Sequence, residues 1–349
     1  MISTATETST GLAPGALTPS QLEQFRKDGY LILHGFFDPA PILARARDVI
    51  QSFDPAAHPL TKFVTGSDDD STKENEEHVG NAYFLESGDS IRFFLEEGAV
   101  DPKTGQLNRQ PDLAVNKAGH ALHVLDRTFY DLSFSDKVQN LVRSLESFTE
   151  PRTLQSMIIC KQPSIGGAVP PHNDSTFLYT DPPSATGLWF ALEDCTKTNG
   201  CLSFLPGSHR WPLDSHQQGN EQRPKEDRDV KENYGVPRGV NKRFVRKEPT
   251  NTSAGTTFEE LSVSEEDAWR DNEARVEECK AGTLVLIHGS VLHKSEKNLS
   301  DRSRYIYTFH AIEGDESKAK YDEKNWLQPT KATPFSKLYN PPPAPAPAA

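Results

Sequence analysis

The apolar positions of the chain change period near its middle. In the first part, Thr18-Pro19-Ser20-Gln21 has the make-up of a helix start: a threonine cap, a proline in the first turn and a glutamine three residues on. Leu22 and Phe25 give that helix an apolar edge, and Asp28-Gly29 closes it. Tyr30 to Phe37 is a dense apolar run of strand length, and Pro39 to Phe53 reads as a second helix. Residues 117–134 and 136–148 also read as helical. The second is capped by Ser135 or Asp136 and places Val138, Leu141, Val142 and Leu145 on one face.

From Thr153 onward the pattern becomes that of short strands. Thr153 to Lys161, Gly187 to Glu193, Gly200 to Leu205, Thr283 to His288 and Arg304 to Ile312 are apolar or alternating, and Gly, Pro, Asn and Asp separate them. Short strands after a helical part predict a sandwich or jelly roll flanked by helices. Residues 214–280 interrupt the series. They are charged, weakly periodic and too long for an ordinary loop, so an insertion between two strands is expected, partly helical around Ser264 to Glu278. Residues 65–78, with Asp68-Asp69-Asp70 and Glu74 to Glu77, read as a solvated surface loop. Disordered tails are expected at 1–16 and 341–349, the second a run of Pro and Ala.

Composition narrows the function classes. Thirty-eight Lys and Arg stand against 50 Asp and Glu, a net charge of -12, which argues against nucleic-acid or anionic-membrane partners. No apolar run approaches the length of a membrane span. Cys160, Cys195, Cys201 and Cys279 show no CxxC spacing, and Met1 to Ala16 carries neither a secretory nor a mitochondrial pattern. Ser336-Lys337-Leu338 is internal and is not expected to act as a peroxisomal address. Reduced thiols and a cytoplasmic location follow as expectations. One basic cluster, Arg238, Lys242, Arg243, Arg246 and Lys247, has the chemistry to hold a phosphorylated substrate such as a coenzyme A thioester. Its plainer reading is a solvated face that neutralises nearby acids.

Candidate chemistry centres on Val169-Pro170-Pro171-His172-Asn173-Asp174. In an extended segment residues two apart point to one side, so His172 and Asp174 can offer an imidazole and a carboxylate together. A lone His-x-Asp triplet says little, because chance readily supplies one. Two imidazoles and a carboxylate on one face of an octahedron hold Fe(II) and leave adjacent positions open. A third ligand is therefore expected on a core strand far along the chain, and either His288 or His293 can supply it. A 2-oxoglutarate cosubstrate would also need a cationic fork for its distal carboxylate, from Arg302 or Arg304. Alternation puts Arg304, Ile306 and Thr308 on one face and Tyr305, Tyr307 and Phe309 on the other, without deciding which faces inward. Other candidates have plain structural readings. His288 fits a hydrogen-bonded core histidine, His120 and His123 fit packing on a helix, His209 fits a loop, and Cys195 and Cys201 fit small buried hydrophobes.

Several blocks together resemble the phytanoyl-CoA dioxygenase family. They are Pro171-His172-Asn173-Asp174, Gly187-Leu188-Trp189, Asn199-Gly200 through Pro206-Gly207-Ser208-His209, Ile287-His288-Gly289, and His293-Lys294-Ser295 through Arg304. Asn116 to His123 and Asn325-Trp326-Leu327-Gln328-Pro329 match one branch of that family. The resemblance runs from about Leu17 to Tyr339 and thins over 55–80 and 214–280. It implies a mainly β fold with flanking helices, a double-stranded β-helix of the jelly-roll or cupin-like type buttressed by N-terminal helices. Residues 17–340 would then form one Fe(II)/2-oxoglutarate dioxygenase domain. His172, Asp174 and His293 would be the iron ligands and Arg304 the clamp for 2-oxoglutarate, with further cosubstrate contacts from Lys117, Met157, Trp189 and Ser295. The implied reaction uses O2 to hydroxylate a C–H bond of a small organic substrate, acyl-CoA or free metabolite, with release of succinate and CO2. Related halogenases carry a small residue in place of the carboxylate, so Asp174 favours hydroxylation. A different class of protein, one that binds metal and 2-oxoglutarate as a sensor without coupled turnover, would share the same ligands.

Overall fold

In the computed structural model, which describes residues 11–62, 82–211, 242–261, 269–331 and 333–347, the local signals near the N-terminus are realised directly. Thr18 accepts from Gln21 N while Gln21 Oε1 accepts from Thr18 N, a reciprocal cap, and Gly29 ends helix α1 (Pro19–Asp28) in the left-handed region. Asp38 caps α2 (Pro39–Gln51). Ser135, rather than Asp136, caps α6 (Asp136–Ser144), through Val138 N. Between them lie α3 (Ala82–Leu85), α4 (Leu122–Leu125) and α5 (Arg127–Ser133). Among the described residues no helix is long and apolar enough to cross a membrane.

The strands are β1 (Tyr30–Leu33), β2 (Ile91–Leu95), β3 (Val115–His120), β4 (Pro151–Lys161), β5 (Val169–His172), β6 (Thr180–Asp181), β7 (Thr186–Ala191) and β8 (Leu202–Phe204). They continue as β9 (Lys242–Arg246), β10 (Thr256–Glu260), β11 (Arg275–Glu277), β12 (Leu284–His288), β13 (His293–Ser295), β14 (Arg304–Glu313), β15 (Lys320–Tyr321) and β16 (Ser336–Lys337). A large antiparallel sheet runs in the order β1-β12-β7-β14-β4-β3-β2, with β16 also on β4. A smaller one runs β11-β8-β13-β5, and β9 with β10 forms a separate hairpin. Pro170 and Pro171 lie on β5, at the edge of the small sheet, where a missing backbone donor is tolerated.

Alternation along the central strands sorts their side chains into two buried layers. Leu188 and Phe190 of β7, Leu284 and Leu286 of β12, and Tyr305, Tyr307 and Phe309 of β14 join the core formed with the helices. Trp189, Ala191, Val285, Ile287 and Ile306 take the opposite face and meet Leu202 and Phe204 of the small sheet. Helices on one side and a second sheet on the other give the jelly-roll architecture the strand pattern predicts.

Two expectations are corrected. Residues 115–120 are a strand, not the start of a long helix, and the helical part of 117–134 is confined to α4 and α5. Pairing to β2 on one side and β4 on the other supplies this segment with backbone partners that its helix-like periodicity does not anticipate. Within 214–280, residues 242–260 carry the hairpin β9–β10, and in the described part of the expected helix around Ser264 to Glu278, residues 269–278, no helix forms and residues 275–277 pair with β8 instead. The loop expected at 65–78 and the parts 214–241 and 262–268 of the insertion lie outside the described residues, as do residues 1–10 and 348–349 of the expected tails.

Lys161 ties the two sheets together. It is 1% exposed at the end of β4, and its Nζ donates to the carbonyls of Gly167 (2.6 Å), Ser295 (3.3 Å) and Glu296. Gly200 makes room for it: φ there is +84°, and a Cβ would stand 2.4 Å from the Glu296 oxygen and 2.9 Å from Lys161 Cδ. Lys161→Met keeps the packing and removes every donor, leaving buried carbonyls unpaired at a cost of about 3 kcal/mol. A lowered urea midpoint of that size is expected, and an unchanged one would show that the tie contributes nothing.

Candidate functional site

The eight residues expected at the site, His172, Asp174, His293, Arg304, Lys117, Met157, Trp189 and Ser295, all line one cavity between the sheets. The cavity holds about 250 Å³. The small sheet supplies the histidines, which sit directly opposite each other on β5 and β13 with ring centroids 4.2 Å apart. Asp174 follows in a 3-10 turn (Asp174–Thr176) capped by Asn173, whose Oδ1 accepts from Thr176 N at 3.0 Å. The chain has therefore left the extended conformation by Asp174, and the cap rather than strand alternation brings the carboxylate back towards the rings.

His172 Nε2 and His293 Nε2 each lie 3.7 Å from Asp174 Oδ1, and the three side chains offer ligand atoms within 4.8 Å of one another. The other ring nitrogens fix the tautomers. His172 Nδ1 meets the carbonyl of Pro170 at 2.9 Å and His293 Nδ1 that of Val291 at 3.1 Å. A carbonyl only accepts, so both Nδ1 atoms carry the proton and both Nε2 lone pairs face the carboxylate. Burial, then the neighbouring His172, lowers His293 to about 4, so it is neutral at physiological pH. Burial alone would raise the Asp174 carboxyl, but His310, His293 and His172 around it hold it well below the usual carboxylate range. Two imidazoles and a carboxylate with lone pairs converging on one point form a donor set that fits a divalent metal.

The large sheet supplies the cationic end. Arg304 is 2% exposed, its Nη1 donates to the Gly200 carbonyl at 2.7 Å, its guanidinium carbon lies 5.6 Å from the Trp189 ring centre, and its buried Nε has no partner. Arg302 is exposed. The inward face of β14 is thus the one carrying Arg304, Ile306 and Thr308. Lys117 of β3 is buried, and burial lowers its ammonium to about 7 against the opposing pull of Glu96.

The remaining histidines have other partners. His288 is half-buried, accepts from Ser290 N through Nδ1 at 3.1 Å, and packs near His209, whose Nε2 meets the Arg26 carbonyl at 3.0 Å. Burial pushes His120 and His123 down to about 3, and they bond Ser87 and Ser156 at 2.6 and 2.8 Å. His120 reaches the cavity wall, but neither of them belongs to the ligand cluster. The basic cluster is largely occupied: Arg243 binds Glu259 and Asp322, and Arg246 donates to the Trp326 carbonyl at 2.8 Å. Lys242 Nζ lies over the Phe258 ring at 4.7 Å, and Arg238 is outside the described residues.

Sequence reasoning missed part of the wall. The hairpin β9–β10 brings Phe244 and Phe258 against Phe177, three residues past Asp174, and Phe84 stacks on Trp326 at 4.4 Å. These aromatics line the cavity. Thr308 and His310 of β14 and Gln155 of β4 line it as well. The signal for Thr308 and His310 was present, since both continue the alternation that carries Arg304.

The geometry yields a direct expectation for metal uptake. Metal analysis after loading with Fe(II) under nitrogen should find about one equivalent in the native protein and in His288→Ala. It should find almost none in His172→Ala, Asp174→Ala or His293→Ala. Loss of metal from His288→Ala alone would overturn the choice between the two histidines.

Comparison with known proteins adds an independent line. Residues 25–306 match the phytanoyl-CoA dioxygenase family. The chain is 42% identical over 328 residues to phytanoyl-CoA dioxygenase domain-containing protein 1 of Rattus norvegicus, covering 93% of this chain and 99% of that protein. It is 38% identical over 320 residues to a phytanoyl-CoA dioxygenase of Arabidopsis thaliana, covering 91% and 95%. Among solved structures, the non-heme alpha ketoglutarate dependent epimerase SnoN from nogalamycin biosynthesis superposes with a TM-score of 0.52 at 16% identity, over 93% of this chain and 94% of that one. EctD from S. alaskensis, crystallised with 2-oxoglutarate and 5-hydroxyectoine, gives 0.52 at 14% identity, over 95% and 88%. At such identities the likeness is one of fold, and it agrees with the two-sheet jelly roll. With the family pattern running through both sheets and relatives matched nearly end to end, the chain belongs to the phytanoyl-CoA dioxygenase family.

Proposed function

We propose that this protein is an Fe(II)- and 2-oxoglutarate-dependent dioxygenase that hydroxylates a C–H bond of a small organic substrate, releasing succinate and CO2. The observation that carries the reading is the convergence of His172, Asp174 and His293 at one point of a cavity that also holds the buried Arg304. SnoN and EctD, which share the fold, are described with alpha ketoglutarate or 2-oxoglutarate, and this chain's donor set fits the same requirement. Iron held by the three residues would leave adjacent positions for the cosubstrate and O2 and supply the oxidative chemistry.

The protein's own groups would divide the remaining work. Pro170 and Val291 carbonyls hold the histidines in the tautomer that turns Nε2 inward. Arg304 is held by the Gly200 carbonyl and Trp189 with its Nε still unpaired, a fixed cation suited to a carboxylate. Lys117 adds a second cation and Ser295 a hydroxyl, while Met157 and Trp189 exclude water. The aromatic wall of Phe84, Phe177, Phe244, Phe258 and Trp326 favours an apolar body on the prime substrate. Arg243 and Arg246 already have partners, so the basic cluster gives little support to a coenzyme A phosphate contact, and a free small metabolite is the better reading.

Two measurements test this. With Fe(II), O2 and 2-oxoglutarate, native protein should release succinate, faster with free apolar acids than with their CoA thioesters. Arg304→Ala should raise the 2-oxoglutarate KM by about 100-fold, while Arg302→Ala leaves it unchanged. Native protein that binds metal and 2-oxoglutarate but forms no succinate with any candidate would instead identify a sensor. The second measurement is the pH dependence of 2-oxoglutarate affinity on Mn(II)-loaded protein. Lys117 titrates near 7 and is charged below that value. Affinity for the dianion should thus be greatest below pH 7 and fall by up to ~10-fold per pH unit above it. In Lys117→Met affinity should be weaker at pH 6 and flat from pH 6 to 9; a retained slope would assign the titration to another group.

A further inference from the structure

The carboxylate of Asp174 has two oxygens, and only Oδ1 faces the histidine pair. Oδ2 is buried and makes no aligned hydrogen bond, although His310 Nε2 stands 3.2 Å from it. His310 comes from the large sheet, across the gap between the sheets. On the far side of its ring, Nδ1 lies 2.9 Å from Gln155 Nε2. An amide nitrogen donates, so Nδ1 accepts and the ring proton sits on Nε2, the nitrogen 3.2 Å from the Asp174 oxygen. The reverse amide orientation would turn an imidazole lone pair towards a carboxylate and is electrostatically unfavourable.

The backbone is shaped for this encounter. His310 pairs with Gln155 on β4 and with Gly187 on β7, and the β14–β4 register shifts between His310 and Ala311. A bulge there re-aims the side chain beside it. Gly187 leaves the space in which the groups meet: a Cβ on it would stand 3.3 Å from both Asp174 Oδ2 and His310 Nε2. Gln155 and His310 are 3% and 8% exposed, so neither is a surface group that happens to lie near.

We infer that the Gln155–His310 pair positions Asp174 for metal binding, His310 holding Oδ2 so that Oδ1 alone faces the metal, and Gln155 holding His310 in the Nε2–H tautomer. His310 is a positioning residue and not a ligand. The inference rests on the metal-site reading above and adds two residues from the opposite sheet to it. Outer hydrogen-bonding partners of metal ligands commonly contribute 10–100-fold to metal affinity.

The test is Co(II) titration of the metal-free protein, read as Kd by calorimetry and as the visible absorption bands of bound Co(II). His310→Phe keeps a flat ring without a donor and should weaken Co(II) binding by about 10–100-fold with shifted bands and an unchanged thermal midpoint. His310→Gln returns an amide donor at similar reach and should recover affinity to within a few-fold. Gln155→Leu, which reaches the same device from its other end, should weaken binding to a lesser degree, and it carries the test if His310→Phe fails to fold. Native affinity and spectrum in His310→Phe, or in Gln155→Leu if that variant is the one that folds, would overturn the inference. So would an equal loss in the Phe and Gln variants, which would mark a packing role. Native protein that takes up no Co(II) would overturn the metal reading itself, and the positioning role with it.

Discussion

β14 has no solvent side, and most of the cavity's polar arrangement depends on that constraint. All ten of its residues are buried, so each side chain must satisfy either the helix-backed core or the gap between the sheets. Period-two alternation then allows one solution. Tyr305, Tyr307 and Phe309 fill the core with Phe190 and Phe129, and Tyr307 finds Ser133 for its hydroxyl at 2.7 Å. Arg304, Thr308 and His310 fall on the other face, where a charge is tolerable only beside partners already in place. Gly200, Trp189 and Gln155 are those partners. A one-residue slip would exchange the two sets and bury the arginine against phenylalanines.

The two sheets contribute unlike parts to the site. The small sheet brings the two imidazoles as a cross-strand pair, and main-chain carbonyls choose the tautomers, so their lone pairs are aimed without any charged helper. The large sheet brings the cations Arg304 and Lys117, which would be costly beside empty space and are suited to an anionic occupant. Lys161 bridges from one to the other through carbonyls of the β13 segment, close to Gly200 and hence to Arg304. The placement of His293 and that of Arg304 are therefore connected through one buried amine.

The insertion between β8 and β12 is not merely an excursion. Its described hairpin packs Phe244 and Phe258 onto Phe177 and is fastened by Arg243 to Glu259 and Asp322. Within the hairpin, Arg243 thus anchors an apolar part of the cavity wall. A polar stretch can thus shape an apolar chamber, because alternation on a two-stranded ribbon puts the Phe244–Phe258 pair on one face and the Arg243–Glu259 pair on the other.

Much of this was legible in the chain. The Thr18 capping box, the Gly29 stop and the β4, β7, β12 and β14 strands follow from short-range rules, because each is written in contiguous residues, whereas the His172, Asp174, His293 and Arg304 set was implied only by the family resemblance. What the sequence alone determined is therefore which groups are available and the order in which β14 presents them. The tertiary structure decided which of two histidines joins the cluster, since His288 and His293 differ only in which sheet their strands enter. It drew 115–120 into a strand through neighbours remote in sequence, and it put the aromatics of 242–260 in the cavity wall. It also decided the meeting of His310 with Asp174, which depends on a bulge, on a glycine in a third strand and on the distance between two sheets. Local propensity is a property of adjacent residues, but a hydrogen bond across the gap between sheets exists only when all the strands have found their register.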